Sequence, residues 1–534
     1  MNSTQAYLLL LLSSTLLSTI ILFPQELIYD NYLLPYLLFP QQEPLSFYPL
    51  HQVSFNSFHL TYTNYLSSSI NPQSFQLKSS ESISPLLTSL SSNSSALPGG
   101  FNFPINEEGQ NIHFLEAYPQ QIRLSWTENS NEMRVTWVTY INYIAKVVVK
   151  STICSENLYS NNWTTFYAET QEFDEGRDRR RIQYIHTVVI PELQETCVYE
   201  YLVGNSCFWS SLHRFKGHTP YTTKPESESL WFRPTKMIVV GDWGAHIWGI
   251  YTKNMLETHI KIEEIDWLIH LGDVAYNMEF DDGQVGDDFL TMIEPISAEI
   301  PYMLIPGNHE YRGNFSHYSN RFKMPVNDAN DGKSLFYSYN VGPVHYIMMN
   351  LEYYFKPYDE ICILTHKNWV LEDLVNVSSY RDQVSWIVVF AHHSFYCSVD
   401  NKECSSQADD IKKDYEEMFK EFKIDLVVQG HVHNYERDLP VYKGQVMMGK
   451  FDTMNKHVNP QAPVYIITGN AGNDHLLNDP FQENLPEFYA FGEQGYGYGK
   501  ITAFNRTHML YEQYDSETAT ILDYVWIIKD EVAN

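Results

Sequence analysis

Basic residues are scarce in this 534-residue chain: 35 Lys and Arg stand against 65 Asp and Glu, a formal net charge of −30 at pH 7. Such a field repels phosphate backbones and anionic lipid, which argues against nucleic acid and acidic membrane surfaces as partners. Cysteine is sparse too. The six, Cys154, Cys197, Cys207, Cys362, Cys397 and Cys404, lack the paired spacing of a zinc finger. The Gly495-Tyr496-Gly497-Tyr498-Gly499 run has no Lys-Ser/Thr after it, so it is no P-loop and is expected as a bulged strand. One long uncharged apolar run exists, Ala6 to Phe23, and no Lys or Arg precedes it. Residues 1–23 are therefore expected as a signal peptide or an anchor, with membrane contact only if the segment stays uncleaved. The expected location is secreted or lumenal, lysosome and vacuole included, and sequons at Asn93, Asn162, Asn314, Asn376 and Asn505 agree with that route.

Metal-ligand residue types, by contrast, are concentrated. Five blocks carry them: Gly241-Asp242-Trp243-Gly244, Gly272-Asp273-Val274-Ala275-Tyr276, Gly307-Asn308-His309-Glu310, Val389-Phe390-Ala391-His392 and Gly430-His431-Val432-His433. Each follows a strand-like stretch, respectively Met237 to Val240, Trp267 to His270, Tyr302 to Ile305, Trp386 to Phe390 and Leu426 to Gln429. Loops beyond the carboxyl ends of such strands converge on a crevice. Oxygen and nitrogen donors without thiolate suit two hard or borderline cations. Singly, each block has a plainer explanation: Gly-Asp turns many chains, and His392 beside His393 can be a buried structural pair. His431 and His433 are more telling, because residues i and i+2 of an extended segment face one side. Five blocks in this order make a dimetal site the better account.

In those blocks the chain resembles the purple acid phosphatases of the metallophosphoesterase superfamily, from about Tyr118 onward. Gly244 stands where many metallophosphoesterases place the histidine of Asp-x-His, and Tyr276 follows the second aspartate by three residues. The resemblance implies that Asp242, Asp273, Tyr276 and His433 hold Fe(III). It implies that Asp273 bridges to a second metal, Fe(II), Zn(II) or Mn(II), held also by Asn308, His392 and His431. Phenolate from Tyr276 would stabilise the trivalent iron and give the colour. His309 would face phosphate and is the catalytic candidate, with a purely structural role in its loop as the alternative. The implied activity is hydrolysis of phosphate monoesters by metal-bound hydroxide, on a small phosphate-ester substrate. The alternatives are a phosphodiesterase or pyrophosphatase on the same site, or a secreted binding protein without catalysis. After the fourth block the loop His393 to Cys404 contains no further histidine, unlike plant members, and resembles the Cys-bounded segment of animal long-form members. His393 is expected as a structural neighbour and Cys397 with Cys404 as a disulfide.

The rest of the chain divides around these blocks. Residues 24–114 are Leu-, Tyr- and Ser-rich without lasting period and are expected as a linker or pro-segment. Residues 115–220 hold short alternating stretches, Gln121 to Trp126, Met133 to Tyr140, Ala145 to Lys150, Ile182 to Ile190 and Cys197 to Val203, which predict an antiparallel sandwich. The resemblance makes it a fibronectin type III-like domain. Trp137, Tyr201 and Trp209 are expected in its core, and His186 as structural. Residues 232–463 alternate strands with helical stretches at Ile250 to Ile262, Phe289 to Ile296, Lys367 to Val375 and Ile411 to Phe422. Residues 464–534 complete the catalytic fold, with Gly469 to Asn473 as a turn near the site. The expected class is α/β: a layered metallophosphoesterase β-sandwich with flanking helices behind an all-β module. Oligomeric state is not legible in the pattern.

Overall fold

The computed structural model describes residues 114–154, 162–175, 181–194, 197–217, 234–330, 333–355, 359–400, 408–473 and 480–530. All of these belong to one compact unit, Asn102–Asn534. The expected signal segment, nearly all of the linker, Asn93 and Cys404 lie outside the described residues.

Eight short strands build the N-terminal module. One sheet orders Gln120–Ser125, Met133–Thr139, Ile182–Ile190 and Glu169–Asp174, and the other Thr164–Tyr167, Lys146–Ile153, Val198–Gly204 and His213–Lys216. Neighbours pair antiparallel throughout. Alternation sends Met133, Val135 and Trp137 inward against Val147, Val149, Tyr201 and Val203. The three strands without an apolar signal, Thr164–Tyr167, Glu169–Asp174 and His213–Lys216, are all edges; the first two bury little surface, and the third buries His213 and Phe215. A disulfide joins Cys154 to Cys197 beside the paired Ile153 and Val198. His186 is buried between Thr139 and Thr170, bonded to both hydroxyls, and burial lowers its pKa to about 4. Trp209 departs from expectation. It lies half-buried in the turn after Gly204 with the Lys146 ammonium 5.3 Å from its ring centre, outside the core.

Two seven-stranded sheets follow. The first runs Tyr302–Leu304, Trp267–His270, Thr235–Val240, Gly497–Ala503, His508–Asp515, Ile521–Ile528 and Lys456–Val458. The second runs Tyr337–Val341, Val344–Met348, Trp386–Ala391, Leu426–Gln429, Val464–Thr468, Tyr435–Asp438 and Tyr489–Glu493. Near-continuous apolar runs mark the inner strands Thr235–Val240, Trp267–His270, Trp386–Ala391, Leu426–Gln429 and Val464–Thr468 because both faces are covered. In the second sheet Val388, Phe390, Val428 and Ile466 enter the core shared with Val240, Ile269 and Ile501 of the first. Ile387, Val389, Val427 and Tyr465 point the other way. There they meet Val370, Leu374 and Val377 of helix Glu360–Ser378 and Ile411, Tyr415 and Phe419 of helix Ala408–Glu421. The result is an α/β sandwich of two sheets with flanking helices behind a β-rich module.

The other α-helices among the described residues are Ile247–Ile262, Gln284–Ser297, Arg312–Arg321 and the single turn Phe114–Ala117. Arg312–Arg321 carries no apolar period and opens with left-handed φ at Gly313, Asn314 and Phe315, which hides it from pattern reading. Gly497–Ala503 pairs in unbroken register with His508–Asp515, and Gly499–Ala503 with Thr235–Val240, so no bulge interrupts the strand. Gly499 instead admits the ring of Tyr511, which a Cβ there would strike. Among the described residues no helix is long and apolar enough to cross a membrane.

Candidate metal centre

The five blocks leave the strands expected of them, but from two sheets. Blocks ending Thr235–Val240, Trp267–His270 and Tyr302–Leu304 come from adjacent parallel strands of the first sheet. Those ending Trp386–Ala391 and Leu426–Gln429 come from adjacent parallel strands of the second. The crevice therefore spans the ends of both sheets. Main-chain bonds lace the loops together: Asp242 N donates to Gly272 O (3.2 Å), Gly430 N to His392 O (3.0 Å) and Ala471 N to Gly241 O (3.1 Å). The turn Gly469 to Asn473 thus lies against the first block, as its sequence suggested.

Two groups of side chains are close enough to hold a cation each: Asp273 with His392 and His431, and Asp242 with Asp273 and His433. Asp273 belongs to both. In the first group, His392 Nε2 is 3.3 Å from Asp273 Oδ1, 3.0 Å from Asn308 Oδ1 and 3.2 Å from His431 Nδ1. In the second, the Tyr276 hydroxyl lies 3.2 Å from Asp242 Oδ1 and 2.9 Å from His433 Nε2, which is itself 3.3 Å from Asp242 Oδ1. All seven expected ligands are thereby brought together around one shared carboxylate.

The donor chemistry fits cations. His392 Nδ1 donates to Leu271 O (2.7 Å), which turns the lone pair of Nε2 toward the cluster. Lone pairs facing one another at about 3 Å are unfavourable unless a positive charge lies between them. That spacing is what bonds of roughly 2.0–2.2 Å around one ion produce. Burial alone would lift the Asp273 carboxyl, yet His392, with His309 and His431 behind it, holds it well below the usual range. Conversely, against the effect of burial, Asp273 and Asp242 push His392 well up, and Asp242 raises His433. The clustered charge is of the kind that bound cations compensate.

Backbone strain and bare glycines shape the cradle. Asp242, Asp273, Tyr276 and His431 all have φ between 56° and 68°, a left-handed conformation that such residues rarely adopt. Here the ligand residues themselves make the left-handed turns. Gly430 and Gly469 serve instead by lacking a Cβ, which would lie 2.8 and 2.7 Å from Asp242 Oδ2.

His309 differs from the ligands. Its main-chain N–H donates to Asp273 Oδ1 (3.0 Å), its Nδ1 meets Asn277 Oδ1 (3.1 Å), and its Nε2 stays 3.8 Å from Asp273 Oδ2. With 23% of its side chain exposed, against 2% for Asp273 and 0% for His392, it faces the opening. His393 meets the Glu352 carboxylate (3.0 Å), stacks on Phe355 and lies 4.3 Å from the His431 ring, the setting expected of a structural neighbour. Cys397 is disulfide-bonded; its expected partner is outside the described residues.

Two contributors escaped sequence reasoning. Asn277 orients His309, and nothing marks it beyond following Tyr276. Glu310 is buried and accepts from Asp273 N (2.8 Å), Val274 N (2.9 Å) and Gly307 N (2.8 Å), joining the second and third blocks. Its place in the Asn308-His309-Glu310 block was the available signal.

Three family models match the chain: "Purple acid Phosphatase, N-terminal domain" over residues 119–217, "Calcineurin-like phosphoesterase" over 235–435, and "Iron/zinc purple acid phosphatase-like protein C" over 462–524. Acid phosphatase type 7 of Mus musculus is 34% identical over 421 residues, covering 77% of this chain and 91% of the relative. Its Homo sapiens counterpart is 32% identical over 423 residues, with coverage of 77% and 91%. Purple acid phosphatase 18 of Arabidopsis thaliana is 27% identical over 421 residues, covering 77% and 85%. Among solved structures, a purple acid phosphatase from yellow lupin (Lupinus luteus) seeds shares the fold with a TM-score of 0.65 and 22% identity, covering 78% of this chain and 75% of its own.

Proposed function

The chain belongs to the purple acid phosphatases, and on that premise we propose that it hydrolyses phosphate monoesters with water as the nucleophile. Its relatives support a phosphatase with a dinuclear metal centre acting on small phosphate esters. The finer reading concerns metals and roles. Fe(III) is assigned to Asp242, Asp273, Tyr276 and His433, and Fe(II), Zn(II) or Mn(II) to Asp273, Asn308, His392 and His431. The observation that carries it is the shared Asp273 carboxylate, with the Tyr276 hydroxyl in contact with both other members of one group. When bound, the two ions supply Lewis acidity toward a phosphoryl oxygen and lower the pKa of water enough to furnish hydroxide in acid.

The chain's own residues do the rest. Tyr276 offers a hard anionic oxygen that favours trivalent iron over the divalent ions of the neighbouring group. Asn277 holds His309 with its ring at the opening, where Nε2 can donate to a phosphoryl or leaving oxygen. A net charge of −30 opposes phosphate everywhere else, so the cation pair becomes the attraction that positions it. A secreted or lumenal location is supported by the Cys154–Cys197 disulfide and the exposed sequon asparagines Asn162, Asn314, Asn376 and Asn505.

A panel of monoesters and diesters with purified protein tests the activity. Monoesters are expected to turn over faster, with His309→Ala lowering kcat while both metals stay bound. Preference for diesters, a phosphoenzyme trapped by rapid quench, or metal loss in His309→Ala would overturn this reading.

A further inference from the structure

Seven of the eleven residues from Asp273 to Gly283 have positive φ: Asp273, Ala275, Tyr276, Asn277, Asp281, Asp282 and Gly283. A segment so strained persists only where its surroundings over-determine it. Glu310 secures the near end through the Asp273 and Val274 N–H groups. The far end is secured from the N-terminal module.

Arg181 of that module donates to Asp282 O (3.3 Å) and to Gln284 Oε1 (3.2 Å), and pairs with Asp287. Glu175 pairs with Arg181 (2.5 Å) and with Arg321, the last residue of the helix that follows the third block. Arg321 in turn donates to Gly283 O (2.9 Å) and to Asp287 Oδ1 (2.8 Å). Tyr140 and Gln183 add bonds of 2.5 Å each to the Asp287 carboxylate. The side chains of Glu175 and Arg321 are fully buried, and that of Asp287 nearly so. Gly283 leaves room for Glu175, whose carboxyl carbon would lie 2.7 Å from a Cβ there. Burying four charges is costly unless each is paired, and exchanging the set for apolar contacts often costs nothing in stability. What apolar packing would not supply is directed bonds to the Asp282 and Gly283 carbonyls.

We propose that Glu175 and Arg181 of the N-terminal module are positioning residues for the metal centre, holding the Asp273–Gly283 loop, and with it Tyr276 and Asn277, in its strained form. This rests on the proposed phosphatase function for its kinetic consequence, but the loop's conformation can be followed without it. The module is then a working wall of the site.

The test uses the full chain with Glu175→Gln, which keeps size and removes charge. Amide hydrogen exchange of residues 274–283 is expected to quicken about tenfold or more while the sheets keep their protection. Metal affinity or kcat should fall about tenfold with KM little changed, the scale of losing a residue that orients ligands. Lys150→Ala, which breaks the Lys150–Glu200 pair on the module's other sheet, should change neither. If Glu175→Gln fails to fold, Arg181→Gln at the more exposed partner gives the same readout. Loop exchange and kcat equal to wild type in a folded variant would overturn the proposal, even with a lower Tm. Wild-type protein lacking metal or activity would instead overturn the functional reading and leave the exchange result to decide this one.

Discussion

Glu310→Gln probes the splint between the second and third blocks with a change of one atom. In the wild type, one carboxylate oxygen accepts from Asp273 N and Gly307 N and the other from Val274 N, all at 2.8–2.9 Å. An amide keeps the two bonds to its carbonyl oxygen but turns an NH2 toward the Val274 N–H. One charge-assisted bond of about 1.5–3 kcal/mol is lost, and a buried donor left unpaired adds about 1–3 kcal/mol, for roughly 3 kcal/mol or more. At about 2–4 °C per kcal/mol this lowers the calorimetric transition by ~6 °C or more. Because the amide that loses its partner, Val274 N, is that of the residue next to Asp273, metal affinity should also weaken, by roughly 10- to 100-fold. Calorimetry with a metal titration reads both. A transition within about 1 °C of wild type, with unchanged metal content, would refute the role assigned to Glu310.

Two further outcomes follow from particular residues. His366 is wholly buried, accepting from Asn350 N and bonded to the Tyr415 hydroxyl, and burial lowers its pKa to about 3. Its folded value is below the unfolded value of about 6.5, so its contribution is intact above ~6.5 and is lost as pH falls toward 3, about 2 kcal/mol by pH ~5. Urea midpoints at about pH 7.5 and about pH 5 should show this loss in wild type and less of it in His366→Gln; equal losses would contradict the assignment. Tyr276→Phe keeps the ring contact with His309 while deleting the oxygen near Asp242 and His433. The visible band of iron-loaded protein should vanish with the fold preserved, and a retained band would show that another ligand gives the colour.

Much of the site was legible because each ligand follows a buried strand, and strands covered on both faces announce themselves as apolar runs: Val239, Ile269, Met303, Phe390 and Val428 are all fully buried. Which sheet each strand joins was not legible. Pairing of Thr235–Val240 with Gly497–Ala503 closes a loop of more than two hundred residues, and no local pattern encodes it. Edge strands such as Glu169–Asp174 were missed because solvent on their faces erases the apolar period. The Cys154–Cys197 pair was unreadable for the same reason of distance. Glu310 and the Glu175–Arg181–Arg321–Asp287 network were invisible as well, since their roles lie in partners brought by the fold, many of them main-chain groups.

Metal stoichiometry in wild type and Asp273→Asn tests the central claim most directly. Asp273 is the one carboxylate common to both groups of donors, so neither ion has a full set without it. Elemental analysis of purified protein should give two ions per chain in wild type, one of them iron, and loss of both in the folded Asp273→Asn variant. Two ions retained by Asp273→Asn, or a wild type that binds a single ion under saturating metal, would contradict a bridged dinuclear centre at this site.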